Sequence, residues 1–255
     1  MTAWTDFLAR EGSAPTADTI AFADAQSEAR AADSATVAVP LVHLGVIRSV
    51  GSDSTAFLHN LFSNDVNHLP ADAAQWTSFN SPKGRMLASI LLWPEAEGHA
   101  LVVSADLLPA LHKKLSMYVL RSKVKLADAR PDCALIGVAG AEAAAVLARA
   151  ALPVPEADLR QAGDAETRTV RLDAQRFIVA VSTDAAPALF ERLVVAGAVR
   201  AGTQAWQLAM VRAGLPLITQ PTQEEFVAQM LNYELIGGVN FKKGCYPGQE
   251  IVART

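Results

Sequence analysis

Apolar residues recur along this chain at two alternating intervals, one of two residues and one of three to four. Alternating or continuous apolar runs over 41–50, 75–80, 85–93, 100–104 and 124–128 predict five strands. Helical spacing over 53–62 predicts a helix burying Phe57, Leu58, Leu61 and Phe62, and spacing over 107–119 predicts one burying Leu108, Leu111, Leu115 and Tyr118. The pattern then starts again, with strands expected at 134–139, 168–172 and 177–182 and helices at 141–151 and 185–196. Residues 153–164, opening on Pro153-Val-Pro155, read as a loop. A helix over 203–212, stopped by Gly214 and Pro216, and a short one over 222–231 complete the expected elements.

The second half echoes the first. Val103-Ser-Ala-Asp-Leu-Leu-Pro-Ala-Leu-His-Lys-Lys-Leu115 matches Val181-Ser-Thr-Asp-Ala-Ala-Pro-Ala-Leu-Phe-Glu-Arg-Leu193 at seven of thirteen positions. In each copy a strand ends, Asp106 or Asp184 is placed to cap a helix, and Pro109 or Pro187 falls in its first turn. A weaker echo relates 50–58 to 139–147, each with a glycine (Gly51, Gly140) followed by an acidic residue (Asp53, Glu142). Strand, helix, strands and helix, repeated once, predict an α+β protein of two duplicated ferredoxin-like (split β-α-β) units. The expected divisions are an extension over 1–36, a first unit over 37–132, a second over 133–200 and a linking segment over 201–255 that packs on the units.

Composition narrows the function classes. Hydrophobic residues make up 51% of the chain, yet no run approaches a membrane span. The start lacks the basic and apolar stretches of a secretion signal, which points to the cytoplasm. A net charge of −4 without a basic run argues against tight nonspecific nucleic-acid binding and leaves only a local patch open. The five histidines lie scattered, with no pair at metal-ligand spacing, so no metal site is expected. Of the two cysteines, Cys133 opens an apolar run and reads as a small core residue.

Cys245 has different company. The segment Phe241-Lys242-Lys243-Gly244-Cys245-Tyr246-Pro247-Gly248-Gln249-Glu250 joins a thiol to two lysines, a turn and a carboxylate. Tyr246-Pro247-Gly248 should bend the chain, and a helix opening near Pro247 would set Cys245 beside its N-terminus, where amides and cations favour a thiolate. A nucleophilic or metal-binding sulfur and a cysteine packed under a helix both fit the residues. Asn80-Ser-Pro-Lys83-Gly84-Arg85 reads as a solvated hairpin turn, with Arg85 as a carboxylate-binding alternative. Trp206, with Met210 one turn on, suits either a core position or a ring-stacking platform.

The run from Phe241 through Cys245, Gln249, Glu250 and Arg254 resembles the hallmark of the YgfZ family, folate-binding proteins related to the glycine-cleavage T-protein. The resemblance extends over 44–65, 80–85 and 202–254. It implies the T-protein fold and a protein that binds tetrahydrofolate or a derivative. It also implies support for assembly or repair of iron-sulfur enzymes, with a downstream effect on tRNA modification and with iron-sulfur client or assembly proteins as partners. The resemblance assigns Cys245 and Lys243 as the reactive pair, with Gly244, Tyr246, Gly248, Gln249, Glu250 and Arg254 completing the motif. It assigns Trp206, Leu44 and Arg212 to the folate pocket, where Leu44 stands at an aromatic position and Arg212 replaces a frequent glutamate. T-proteins carry paired aspartates where this chain has Ala88-Ser89, which weighs against aminomethyl transfer. The family's small β-barrel after the motif is expected to be absent. A folate-dependent aminomethyl or methyl transferase and a thiol-redox protein are the alternatives.

Overall fold

The computed structural model describes residues 2–12, 16 and 18–253, and two compact units emerge from it. In chain order the elements begin with α1 (Ala3–Glu11), α2 (Ala25–Ser34), β1 (Val37–Pro40), β2 (Leu44–Val50), α3 (Ser54–Leu61), β3 (Gln75–Asn80), β4 (Met86–Glu95) and β5 (Gly98–Ser104). They continue with α4 (Leu108–Val119), β6 (Lys125–Asp128), β7 (Cys133–Ala139), α5 (Ala143–Arg149), β8 (Gln161–Gly163), β9 (Thr167–Asp173) and β10 (Arg176–Ser182). Last come α6 (Ala186–Val195), β11 (Val199–Arg200), α7 (Thr203–Arg212), the 3-10 turns Gln220–Thr222 and Ala228–Leu231, and α8 (Gln249–Val252). None of the described helices is long and apolar enough to cross a membrane.

Unit 1 comprises Met1–Leu44 and Arg130–Gly214. Its sheet runs β11-β1-β7-β10-β9-β8, with β1 parallel to β11 and the other pairs antiparallel. Ile136, Val138, Phe177 and Val179 present one sheet face to Val146 and Leu147 of α5 and to Leu189 and Leu193 of α6. Trp4 and Phe7 of α1 close the same cluster edge-on to Phe190, at ring separations of 5.9 and 6.0 Å. The opposite face takes α7, whose Trp206 lies so close to Gly137 of β7 that a Cβ there would sit 2.5 Å from the indole. Only glycine at 137 leaves room for that ring.

Unit 2 comprises Gly45–Ala129 and Leu215–Thr255, with the sheet order β3-β4-β5-β2-β6. Phe57, Leu58 and Leu61 of α3 and Leu108, Leu111 and Leu115 of α4 pack on Ile90, Leu92, Leu101 and Val103. Each fully buried leucine of this kind contributes roughly 1.5–3 kcal/mol by leaving water.

The α+β class and the two sheets with their helices agree with the sequence pattern. The units are nevertheless interleaved, not consecutive blocks over 37–132 and 133–200. β1 pairs with β7 and β11 and so joins the sheet of unit 1, while α7 also belongs to unit 1 and everything from Leu215 to unit 2. The extension folds into α1 and α2 of unit 1.

Three local expectations change for backbone reasons. The 222–231 stretch forms no continuous helix, because its peptide groups serve the start of β4: Met86 N donates to Phe226 O at 2.8 Å and Glu224 N to Met86 O at 2.9 Å. Asp106 and Asp184 do not cap helices; Leu107 and Ala185 hold the cap positions, and Asp106 Oδ2 accepts from Gln220 N at 2.8 Å. Pro247 precedes α8 instead of opening it, since Gly248 is the cap, with φ +78.

Candidate functional site

The thiol segment is held in unit 2 by the loop that follows α3. Ser63 Oγ donates to Gly238 O at 2.6 Å, and Asn64 Nδ2 donates to Gly237 O at 2.7 Å and to Trp76 O at 2.8 Å. Asn240 N returns a bond to Ser63 O at 3.0 Å. The Asn240 side chain then accepts the amides of Lys242 and Lys243 at 2.8 and 3.1 Å, turning the chain toward Cys245. On the far side Gly248 rests on the 81–84 turn, where a Cβ would meet Ser81 O at 2.4 Å and the Gly84 Cα at 2.6 Å. Between these anchors Gly244 has open space around it and Cys245 is exposed.

Lys243 points inward, with only 7% of its surface exposed. Its ammonium donates to His59 O and, at 2.5 Å, to Phe62 O, carbonyls left over at the end of α3. The same Nζ lies 4.8 Å from the centre of the Tyr246 ring. Burial lowers the Lys243 pKa to about 8, opposed by attraction to Asp65 and Cys245. Burial also pushes the Tyr246 phenol up to about 12.

Sequence reasoning dismissed the histidines, and two of them belong to this cluster. Asp65 lies between His59, whose Nδ1 is 3.1 Å from Oδ1 without hydrogen-bond geometry, and His68, whose Nδ1 is 2.8 Å from Oδ2. Burial lowers the His59 pKa and the Lys243 charge lowers it further, against the pull of Asp65. Burial raises the Asp65 pKa, but the hydrogen bonds from His68 outweigh it and the net shift is downward. Cys245, Lys243, His59, Asp65 and His68 are therefore electrostatically linked. The legible signal was proximity to the end of α3: His59, Asp65 and His68 fall within ten residues there.

A second feature of unit 2 lies on its sheet. Side chains alternate across a strand, so the register partners Ser78 of β3 and Ser89 of β4 face away from the cluster holding Phe79, Ile90 and Leu92. Asn80 follows two residues on, past a register shift that pairs it with Met86. Ser89 Oγ accepts from Ile218 N at 2.9 Å, but Ser78 Oγ and both Oδ1 and Nδ2 of Asn80 are buried without a partner. Such groups cost about 1–3 kcal/mol each when left unsatisfied, so these three atoms stand out as polar groups without a partner near the end of β3.

The remaining expected site residues have other occupations. Trp206 is 1% exposed and packed on Gly137, so its ring fills the interior of unit 1. Leu44 is half-buried where β2 begins, with its amide bonded to Leu41 O at 3.0 Å. The Arg212 guanidinium pairs with Asp33, whose carboxyl that hydrogen bond holds below its ordinary range. Arg85 spends its guanidinium on the carbonyls of Glu225, at 2.6 Å, and Glu224, at 3.3 Å. Gln249 and Glu250 open the four-residue α8, and Arg254 lies outside the described residues. With α8 so short, the cation beside the thiol segment is Lys243, not a long helix dipole.

The model of the GCVT N-terminal domain matches residues 6–243. Among curated proteins, the tRNA-modifying protein YgfZ of Yersinia enterocolitica is 33% identical over 212 residues, covering 82% of this chain and 64% of that protein. The YgfZ protein of Yersinia pseudotuberculosis is 32% identical with the same coverage. The chain thus spans 64% of the length of these relatives. The glycine cleavage system aminomethyltransferase T of Bartonella henselae shares the fold, with a TM-score of 0.68 at 22% identity, over 75% of this chain and 54% of that one.

Proposed function

This chain belongs to the GCVT N-terminal domain family, and from that premise we propose that it binds tetrahydrofolate or a related folate and acts as an accessory protein in the assembly or repair of iron-sulfur enzymes. The observation that carries the folate part is the unpartnered amide of Asn80, two residues along β3 from the unpartnered Ser78 hydroxyl. A pterin ring presents amino, ring N–H and carbonyl groups along one edge, and a carboxamide offers one acceptor and two donors in a plane to meet it. When bound, the folate supplies a one-carbon carrier. Asn80 and Ser78 bind and orient it, while Ser89 has its hydroxyl engaged by the Ile218 amide.

The missing carboxylates favour a binding role over group transfer. Ala88 and Ser89 provide no acid or base, and Ala88 is part of the apolar cluster. The thiol segment suits contact with a partner protein: Cys245 stands exposed on a loop anchored at both ends, and the Lys243 charge lies close enough to feel the sulfur. The likeness to proteins named as tRNA-modifying fits an indirect effect through iron-sulfur enzymes in the cytoplasm, with client or assembly proteins as partners.

Titrating tetrahydrofolate against intrinsic fluorescence tests the folate reading. Saturable binding is expected in the wild type, and Asn80→Leu should weaken it at least tenfold while leaving the melting temperature unchanged or higher, because an unsatisfied buried amide is removed. Absence of saturation in the wild type, or full affinity in N80L, overturns it. Cys245→Ser should retain folate binding and lose activity in an iron-sulfur enzyme maturation assay.

A further inference from the structure

We propose that the C-terminal end of α4, the turn after it and the edge strand β6 form a binding surface for single-stranded nucleic acid. The net charge of −4 hides a local excess. From Leu107 to Ala127 the chain carries five cations, Lys113, Lys114, Arg121, Lys123 and Lys125, and no Asp or Glu. All except the half-buried Lys114 are exposed. α4 packs against β6, which lies at the open edge of the unit 2 sheet, and His112 Nε2 is 3.2 Å from Leu126 O, so the two parts of the basic stretch share one region of the surface. Among the described residues none of the five takes part in an ion pair.

Large apolar side chains are interleaved with this charge. Tyr118 is 41% exposed, Met117 62% and Leu120 88%. The Tyr118 ring leans edge-on against Phe79 at 6.1 Å, which fixes its orientation and leaves the rest of the ring to solvent. Leu120 has φ +44, a conformation that costs a non-glycine residue about 1–3 kcal/mol, and burial does not offset it. Tyr118, Leu120, Arg121, Ser122 and Asp53 line an open depression of about 740 Å³. Asp53 also lines it: its Oδ2 accepts the Lys123 amide at 2.7 Å, which holds its carboxyl below the usual range and keeps it charged, so the cations around it act against one fixed negative charge.

The duplicated unit supplies an internal control. Where α4 has Lys113, α6 has Glu191, and the nearby Arg200 is consumed in ion pairs with Glu191 at 2.7 Å and Glu11 at 3.0 Å. α6 keeps exposed Arg192 where α4 has Lys114, but Val199, Ala201 and Thr203 stand where unit 2 has Arg121, Lys123 and Lys125, so the same scaffold folds with a much weaker basic face. Cations that track phosphates beside an aromatic ring are what an unpaired strand requires, because its bases are free to stack. A duplex would offer Tyr118 no open base, and an acidic protein would use the charges without needing the ring. This surface stands apart from Asn80 and Ser78 and does not depend on the folate reading.

Fluorescence anisotropy with labelled RNA and DNA strands of ~12 nucleotides, on the full chain, tests it. Saturable binding is expected at about 50 mM salt, with log K falling against log salt at a slope of roughly −2 to −3, as three or four phosphate contacts give. The Arg121→Ala/Lys123→Ala variant should reduce that slope by about 1.4. Tyr118→Ala should lower affinity about 5- to 100-fold with the slope unchanged, and Tyr118→Phe should retain it. As Tyr118 touches Phe79, Leu120→Ser at the exposed tip gives an independent variant, with a several-fold loss expected. Binding of either strand supports the proposal, and the tighter one identifies the source. No saturable binding of either, indifference to R121A/K123A, or equal displacement by a poly-glutamate peptide of matched charge would overturn it, the last pointing to an acidic protein instead.

Discussion

At the scale of single residues, the thiol segment divides into side chains that react and side chains that hold. Gly244 and Gly248 look alike in the sequence, yet only Gly248 has φ +78 and backbone atoms where a Cβ would stand; a Cβ on Gly244 would meet nothing within 4 Å. Gly248→Ala is therefore expected to cost about 1–3 kcal/mol and to lower the urea midpoint, whereas Gly244→Ala should stay within about 0.5 kcal/mol of wild type. Equal losses would show that the open loop around Cys245 is tighter than described. Lys243 belongs to both groups. Its ammonium closes the end of α3, so Lys243→Met should cost about 1–3 kcal/mol by leaving the His59 and Phe62 carbonyls unpaired. Because the attraction between the lysine and a charged sulfur is reciprocal, the same variant should also slow alkylation of Cys245 by iodoacetamide. A stability loss with an unchanged alkylation rate would leave Lys243 a purely structural role.

At the scale of elements, much of the fold was readable because burial imposes a period. α7 falls on its expected residues, and α3, α4, β3 and β10 lie within one residue of theirs, since each has one strongly apolar face. What was not readable depends on partners distant in sequence. β1 is four residues long and buried throughout, and only its pairing with β7 and β11 decides which sheet owns it. The 222–231 segment has helical composition but spends its backbone on Met86. In the site the thiol motif could be read directly, because its lysines, glycines and cysteine are contiguous. Its histidine and aspartate neighbours could not, because Asp65 meets His59 only after α3 ends and the chain turns back. Trp206 was ambiguous for the same reason: only the fold reveals that Gly137 makes a slot for it. The loop that creates these meetings can be tested. Asn64 binds Trp76 O, Gly237 O and the Asp65 amide with one side chain, so Asn64→Ala should cost about 2–3 kcal/mol. Hydrogen exchange at residues 237–243 should rise more than in the core of α4; uniform acceleration would mean that the loop does not anchor the thiol segment in particular.

At the scale of the whole molecule, each unit carries a neutral buried histidine, and the pair makes the protein's stability sensitive to acid. Burial depresses the pKa of His43 in unit 1 to about 4, slightly opposed by Asp18, and burial likewise takes His99 in unit 2 to about 4. His43 Nδ1 has no partner, and His99 Nδ1 is 3.0 Å from Ser54 Oγ at the start of α3. An unfolded histidine titrates near 6.5, so between pH 6.5 and about 4 the unfolded chain binds protons that the folded chain refuses. Stability that is fully present above pH 6.5 must then fall with pH across this window, by up to about 3 kcal/mol per histidine. Most carboxylate effects begin lower, below about pH 5, which separates the two contributions. Urea unfolding at pH 7, 6 and 5 should show a decline that His99→Asn and His43→Leu each reduce, and the double variant should keep only the remaining slope from His59, whose pKa burial also lowers. A wild type whose midpoint does not move between pH 7 and 5 would mean that both rings reach water or gain a partner when protonated, and that neither unit is closed around its histidine as described.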